Sequence, residues 1–315
     1  MASVLDKPYF RDEAAAYAKV ESIVWPNGPV CVHCDETNRI GLLKGKATRP
    51  GIYKCYACRK QFRVTVGTIF EASHIALHHW LQAVFLMVSS KKGISSNQLH
   101  RTLGVTLKSA WFMSHRIREA MKEQPWPDGG KLGGSGMVIE ADETYVGGKA
   151  ANRAYGPIPP KQSVASLVER GGRVRSFHIP NVTANNLYPI VARHTHVDSR
   201  FMTDDTSVYS AIGRTFKGGY ETVNHSAKEY VRGDAFTNTA EGYFSILKRG
   251  IYGVYQHVSE AHLQRYLAEF DFRYSYRVKT GFNDMARMDR ALAGIVGKRL
   301  TYRPVGSHGS AALAG

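Results

Sequence analysis

The residues of this chain best suited by type and surroundings to do chemistry are Asp142, Asp204 and Glu241. Asp142 stands inside the apolar and β-branched run 137–146, Asp204 closes Arg200-Phe201-Met202-Thr203-Asp204, and Glu241 opens the helix-like run Glu241–Lys248. Two strand-borne aspartates and a helix-borne glutamate offer hard oxygen donors. Such donors suit Mg2+ or Mn2+, which keep positions open for water and phosphate oxygens. Two such ions about 4 Å apart can hold the attacking and leaving oxygens of a phosphodiester in line. Asp142 would bridge both ions, and Asp204 and Glu241 would each hold one. No Ser, Cys or Tyr nucleophile is then needed, because water or a DNA 3'-OH attacks. Lys248 lies seven residues beyond Glu241, two helical turns on and on about the same face, where it and Arg249 would contact a phosphate backbone. Spacing leaves rivals open. Glu140 shares a strand face with Asp142 by period-two alternation, and Glu143 and Asp205 are immediate neighbours of the two aspartates.

Charge names the substrate class. Lys and Arg number 42 against 26 acids, a formal charge of +16 and a pI near 9.7. Such an excess favours a polyanion bound through phosphate contacts and counterion release. Between Arg39 and Arg63 there are eight Lys or Arg and no Asp or Glu. No run approaches the ~20 apolar residues of a membrane span, and no export signal is visible, so a cytoplasmic, nucleoid-associated protein is expected.

All four cysteines fall in one early segment, as Cys31-Val32-His33-Cys34 and Cys55-Tyr56-Ala57-Cys58. Paired knuckles with 20 residues between them match the zinc-ribbon pattern, in which four thiolates close a tetrahedral Zn2+ site. A closed site has no open coordination position. It is a folding element, and His33 is expected at the surface.

These residues need elements to position them. Residues 12–23 read as a short amphipathic helix, the ribbon follows with hairpin character, and 64–70 is strand-like. Helices are expected at 76–89, 95–103 and 106–122. The break at Leu103-Gly104-Val105-Thr106 resembles a helix-turn-helix with Thr106 as N-cap. The third helix would then turn Lys108 and Ser109, with His115, Arg116 and Arg118, towards DNA. A Gly- and Pro-rich stretch over 124–136 reads as a linker. Beyond it the pattern runs strand 138–146, hairpin 162–179, helix 184–194, strand 200–203, helix 207–215, strand 219–223, helix 237–248 and helix 259–276. That is the order of a ribonuclease-H-like α/β domain, a mixed five-stranded sheet flanked by helices. Tyr255, Phe270, Phe272 and Tyr274 are read as core aromatics.

Three segments carry a family likeness: Asp142-Glu143-Thr144-Tyr145-Val146-Gly147-Gly148-Lys149, Thr203-Asp204 with Tyr209, and Asn238 through Gly250. They resemble the core motifs of bacterial insertion-sequence transposases with an N-terminal zinc ribbon, a group related to the eukaryotic Merlin elements. The similarity runs on through Tyr255–Ser259 and His262–Tyr274, and covers roughly residues 20–300. Phe244 stands where many relatives carry a tryptophan. The resemblance implies a DDE-type core, recognition of element ends by the N-terminal region, double-stranded DNA as partner, and at least a dimer on DNA. It carries Asp142 and Asp204 over as the first two acids. The third is Glu241 or, since some members use asparagine, Asn238 one turn earlier; the carboxylate is the better ligand for a hard dication. Lys149 and Arg153 in the loop after the first strand are further DNA-contact candidates. The organisation expected is helix and ribbon over 1–70, bundle over 71–123, linker over 124–136, catalytic domain over 137–304 and a disordered tail over 305–315. A nuclease on the same core, or a DNA-binding regulator with an idle core, remain the other readings.

Overall fold

The computed structural model describes residues 3–122, 130–147, 160–223, 233–234 and 236–301. Residues 124–129, Lys149, Arg153 and the 305–315 tail lie outside the described residues. Helix α1 (Glu13–Val24) begins where the Asp12 carboxylate accepts from the Ala15 amide at 2.7 Å. The antiparallel strands β1 (Ile40–Leu42), β2 (Tyr53–Cys55) and β3 (Gln61–Phe62) then form a small ribbon. The strand expected over 64–70 is instead a series of turns. The Thr68 hydroxyl donates to the Thr65 carbonyl at 2.7 Å and curls the backbone, the local competition a short hydroxyl side chain brings.

Helices α2 (Leu77–Ser89), α3 (Ser96–Leu103) and α4 (Leu107–Met121) follow, and Thr106 caps α4 by accepting from Ser109 N at 3.1 Å. One apolar core unites Phe10 and Val20 with Trp80, Met113, Ile117, Phe272, Met288 and Leu292. It thus joins α1, the three-helix stretch and a helix near the chain's end, α9 (Asp284–Ala293). That last helix is absent from the expectation, although Asn283 caps it at 2.9 Å and Met288 and Leu292 mark its buried face.

Helix α4 corrects a further expectation. His115, Arg116 and Arg118 are buried, at 0%, 5% and 1% exposure. The Arg116 guanidinium donates to the carbonyls of Ile69 (2.9 Å), Glu71 (2.8 Å) and Leu300 (3.1 Å), so it ties loops together and does not face DNA. Packing of α2, α3, α9 and α8 (Glu260–Ser275) around α4 leaves its first turn, with Lys108, exposed.

The main sheet comprises β4 (Val138–Val146), β5 (Gln162–Glu169), β6 (Val174–Ile179), β7 (Arg200–Asp204) and β8 (Tyr220–Val223), in the order β6-β5-β4-β7-β8. β4, β7 and β8 are parallel, and β5 and β6 antiparallel, which is the expected ribonuclease-H-like mixed sheet. Odd-numbered residues of β4, Ile139 and Ala141, pack with Leu167, Phe201, Leu187 and Tyr209 under α5 (Ala184–His194) and α6 (Ser207–Gly213). On the opposite face Val146, Val164 and Val168 pack against Tyr243, Leu247 and Leu267 of α7 (Asn238–Gly250) and α8 (Glu260–Ser275). Burying each such Leu, Val or Phe contributes about 1.5–3 kcal/mol. Tyr255, Phe270 and Tyr274 join this second core, and Phe272 the bundle core, as read from sequence.

Two close approaches shape the sheet's surroundings. Helix α7 runs past its expected end into a π-helical turn, Ile251–Tyr255, and Gly250 permits contact there. A Cβ at that position would lie 2.6 Å from the Lys92 carbonyl oxygen and 2.2 Å from the Phe270 ring. The described part of the expected linker, residues 130–136, is docked on the domain. Leu132 is fully buried, its amide donates to the His194 carbonyl at 2.8 Å, and the Gly133 amide donates to Glu169 at 2.9 Å. Gly133 serves close packing: it has φ +79° and sits against Ser199. Among the described residues no helix is long and apolar enough to cross a membrane.

Candidate active site and zinc centre

The four cysteines come together as their spacing predicts. Their sulfurs lie within 4.8 Å of one another, with Cys31–Cys58 and Cys34–Cys55 both at 3.7 Å. A tetrahedron with Zn–S bonds of about 2.3 Å has edges of about 3.8 Å, whereas a disulfide would need about 2.05 Å. The donor set therefore fits Zn2+. Charge supports the same conclusion. The Cys55 thiol is pulled down to about 7, first by the N–H of Cys58, then by that of Ala57 and by neighbouring sulfurs. At Cys34 an N–H from Glu36 pulls down but is outweighed by burial and the other three sulfurs, leaving it at about 12. Four thiolates this close repel one another, and a bound cation would relieve that repulsion. Trp25, Tyr53 and Phe62 pack against buried Cys31 and Cys55 and fix the ribbon beside α1.

Asp142, Asp204 and Glu241 come from three elements, and the charges of the last two are felt at the first. Parallel pairing sets Glu140 opposite Met202, so two residues further along each strand Asp142 and Asp204 leave the same face of β4 and β7. Glu241 is exposed in the first turn of α7, with Asn238 exposed one turn earlier. The Asp142 carboxyl is pushed up to about 7. Burial is the main cause; the charges of Asp204 and Glu241 add to it, while the Glu143 N–H, at 2.7 Å, and Lys248 oppose it. Three acids and one lysine thus share an electrostatic neighbourhood. Arg249 is exposed on α7, bonded to Ser245 at 2.7 Å, whereas Lys108 sits on the bundle.

The rival acids are separated by their partners. Glu143 points to the opposite face, where buried Tyr209 of α6 donates to it. Burial first, then Asp142 and Asp204, push its carboxyl up to about 8. Glu140 is fully buried, and its oxygens accept from the α7 N-terminus and from Arg170, so it is not a free ligand. Asp205 is exposed at the end of β7. Sequence reasoning placed Glu140 on the correct face but missed its partners, which lie 30 and about 100 residues away.

Residues 131–275 match the ISXO2-like transposase domain family, and residues 11–61 match the transposase zinc-ribbon domain family. The chain is 26% identical over 282 residues to an uncharacterized protein in transposable element ISH50 of Halobacterium salinarum, a match spanning 84% of this chain and 91% of that protein. Among solved structures, a pre-cleavage Mos1 transpososome and the Mos1 mariner paired-end complex with Mn each align over 67% of this chain and 73% of theirs, at 12% identity and a TM-score of 0.27. A likeness that slight bears no argument about the site. The two domain matches, in this order along one chain, are the decisive ones: the chain carries a transposase zinc-ribbon domain followed by an ISXO2-like transposase domain, and is a DNA transposase.

Proposed function

We propose that Asp142, Asp204 and Glu241 hold two divalent ions, Mg2+ or Mn2+, and that with them the protein cleaves the terminal inverted repeats of its element and joins the 3'-OH ends to target DNA. One observation carries this reading: a half-buried Asp142 is held near neutrality by burial and by the negative charges of Asp204 and Glu241. Acids crowded in this way bind hard cations strongly, because the cation relieves both the repulsion and the lost hydration. Bound there, the ions would activate the attacking oxygen and stabilise the leaving one.

The chain's own residues do the rest. Asp142, on the central strand, would hold the ions together with Asp204 and Glu241, with Asn238 as the alternative to Glu241. Lys248 balances the acids and, with Arg249, holds the phosphate backbone; Lys108 contacts DNA from the first turn of α4. Lys149 and Arg153, which follow β4 in the sequence, remain proposed contacts. Two element ends require at least two subunits on DNA. The test uses the full-length protein with duplex oligonucleotides bearing the repeats that flank its coding sequence. Metal-dependent cleavage and joining are expected, both lost in Asp142→Asn while DNA binding persists. Equal activity in the wild type and Asp142→Asn would sink the assignment.

A further inference from the structure

We infer that Glu140 and Arg170 form a positioning clamp that sets the third metal ligand of α7 against the first on β4. This rests on the metal-site reading above. Glu140 lies two residues before Asp142 on the same face of the central strand and is fully buried. Its Oε2 accepts from the backbone amides of Thr239 at 2.8 Å and Ala240 at 3.0 Å, and its Oε1 accepts from the Thr239 hydroxyl at 2.8 Å. These are first-turn amides of α7, which have no partner within the helix. The carboxylate also meets the positive end of the helix dipole, so one side chain caps the helix and anchors it to the sheet.

Arg170 extends the clamp. Its Nε donates to Glu140 Oε1 at 2.9 Å, and its two terminal nitrogens donate to the carbonyls of Asp234 (2.9 Å) and Phe236 (3.1 Å). The guanidinium also lies 3.6 Å from the centre of the Phe236 ring. Arg200 of β7 holds the Asp234 carboxylate, with one contact at 3.0 Å. The stretch leading into α7 is therefore held from β4, from the β5–β6 turn and from β7.

Asn238 and Glu241, the two choices for third ligand, flank the amides that Glu140 holds. Displacing that first turn moves either candidate relative to Asp142. A buried charge bonded in this way does not itself bind the ion. It fixes the distance over which two ligands from elements 100 residues apart can share one site. Generic stabilisation of the domain would not depend on where the metal sits, and that difference makes the role testable.

The experiment compares wild type, Glu140→Gln, Thr239→Val and a destabilised control on the opposite face, Leu187→Ala, all full length. Three readings are taken: thermal midpoint, Mn2+ binding without DNA by calorimetry, and the Mn2+ concentration giving half-maximal cleavage. Glu140→Gln should weaken Mn2+ binding and raise the half-maximal concentration about tenfold. Thr239→Val removes one hydroxyl and should shift both smaller amounts the same way, and it carries the test if Glu140→Gln does not fold. Hydrogen exchange at the Thr239 and Ala240 amides should quicken in both. Leu187→Ala should lower the thermal midpoint with no change in metal dependence. Wild-type metal affinity in the Glu140 and Thr239 variants, with losses that track only folded protein, overturns the clamp. Should neither Glu241→Gln nor Asn238→Ala reduce cleavage, the metal-site reading fails and the clamp with it.

Discussion

The cysteine cluster and the carboxylate site are built by opposite strategies. The cysteines span 28 residues, from Cys31 to Cys58, and their sulfurs already stand at tetrahedral spacing. The carboxylates come from β4, β7 and α7, a hundred residues from first to last, and among the described residues only the cysteines gather three or more ligand atoms within 4.8 Å. A soft, closed site can be assembled by two local knuckles. A hard site that must keep open positions needs ligands held apart, and rigid elements do that better than one loop. The ribbon therefore depends on its metal for structure, while the sheet holds its acids in place by packing and by partners such as Glu140.

Removing zinc tests that contrast most severely. Chelation or Cys55→Ser should unfold β1–β3, because structural zinc sites contribute about 10–16 kcal/mol. Hydrogen exchange should show protection lost over the ribbon and kept in β4; a ribbon that stays protected would mean packing, not zinc, holds it. At the other site Asp142→Asn should leave the fold intact yet lower cleavage by ~10³ or more, about 4 kcal/mol of barrier.

Glu269 probes the tertiary framework itself. It is fully buried in α8 and paired with Arg118 of α4, at 2.7 Å, and with Arg273, while Tyr255 donates to it at 2.6 Å from the end of the α7 segment. Glu269→Ala leaves two buried guanidinium groups uncompensated and should destabilise the protein by about 3–5 kcal/mol in denaturant unfolding. A loss below ~1 kcal/mol would show that the pairing of bundle and sheet lies elsewhere.

The smallest expected effect is on pH dependence. Unfolded, Asp142 releases its proton near the ordinary carboxyl value; folded, it holds it to about 7. Between those values the native state binds more protons, so metal-free stability should fall as pH rises from about 4 through 7. Asp142→Asn should flatten that slope. Protons and metal also compete, so the metal needed for cleavage should rise below about pH 7, where the ionised fraction of Asp142 drops tenfold per unit. A metal requirement indifferent to pH would place the neutral carboxyl outside the site.

The alternation of β4, the Thr106 cap and the paired knuckles were legible because each is a local signal, carried within a few residues. The acids Asp142 and Asp204 were legible for the same reason, one inside and one at the end of a recognisable strand. Arg116 and Arg118 were not. Both read as exposed cations on an amphipathic helix, and only the packing of α8 and α9 on α4 reveals that they are interior. Helix α9 was missed because its apolar stripe is short and gains meaning only beside Trp80 and Phe272.

From the amino-acid order alone came the zinc ligands, the strand and helix sequence, the basic charge and the set of acids from which a metal site could be drawn. Those features depend on residue type and near spacing, which a linear chain displays. Choosing among the acids required the third dimension. Glu140, Asp142 and Glu143 differ by at most three positions, yet one is buried against a helix N-terminus, one faces Asp204 and Glu241, and one meets Tyr209. A carboxylate's role is decided by which charges and donors surround it, and those come from residues as much as a hundred positions away.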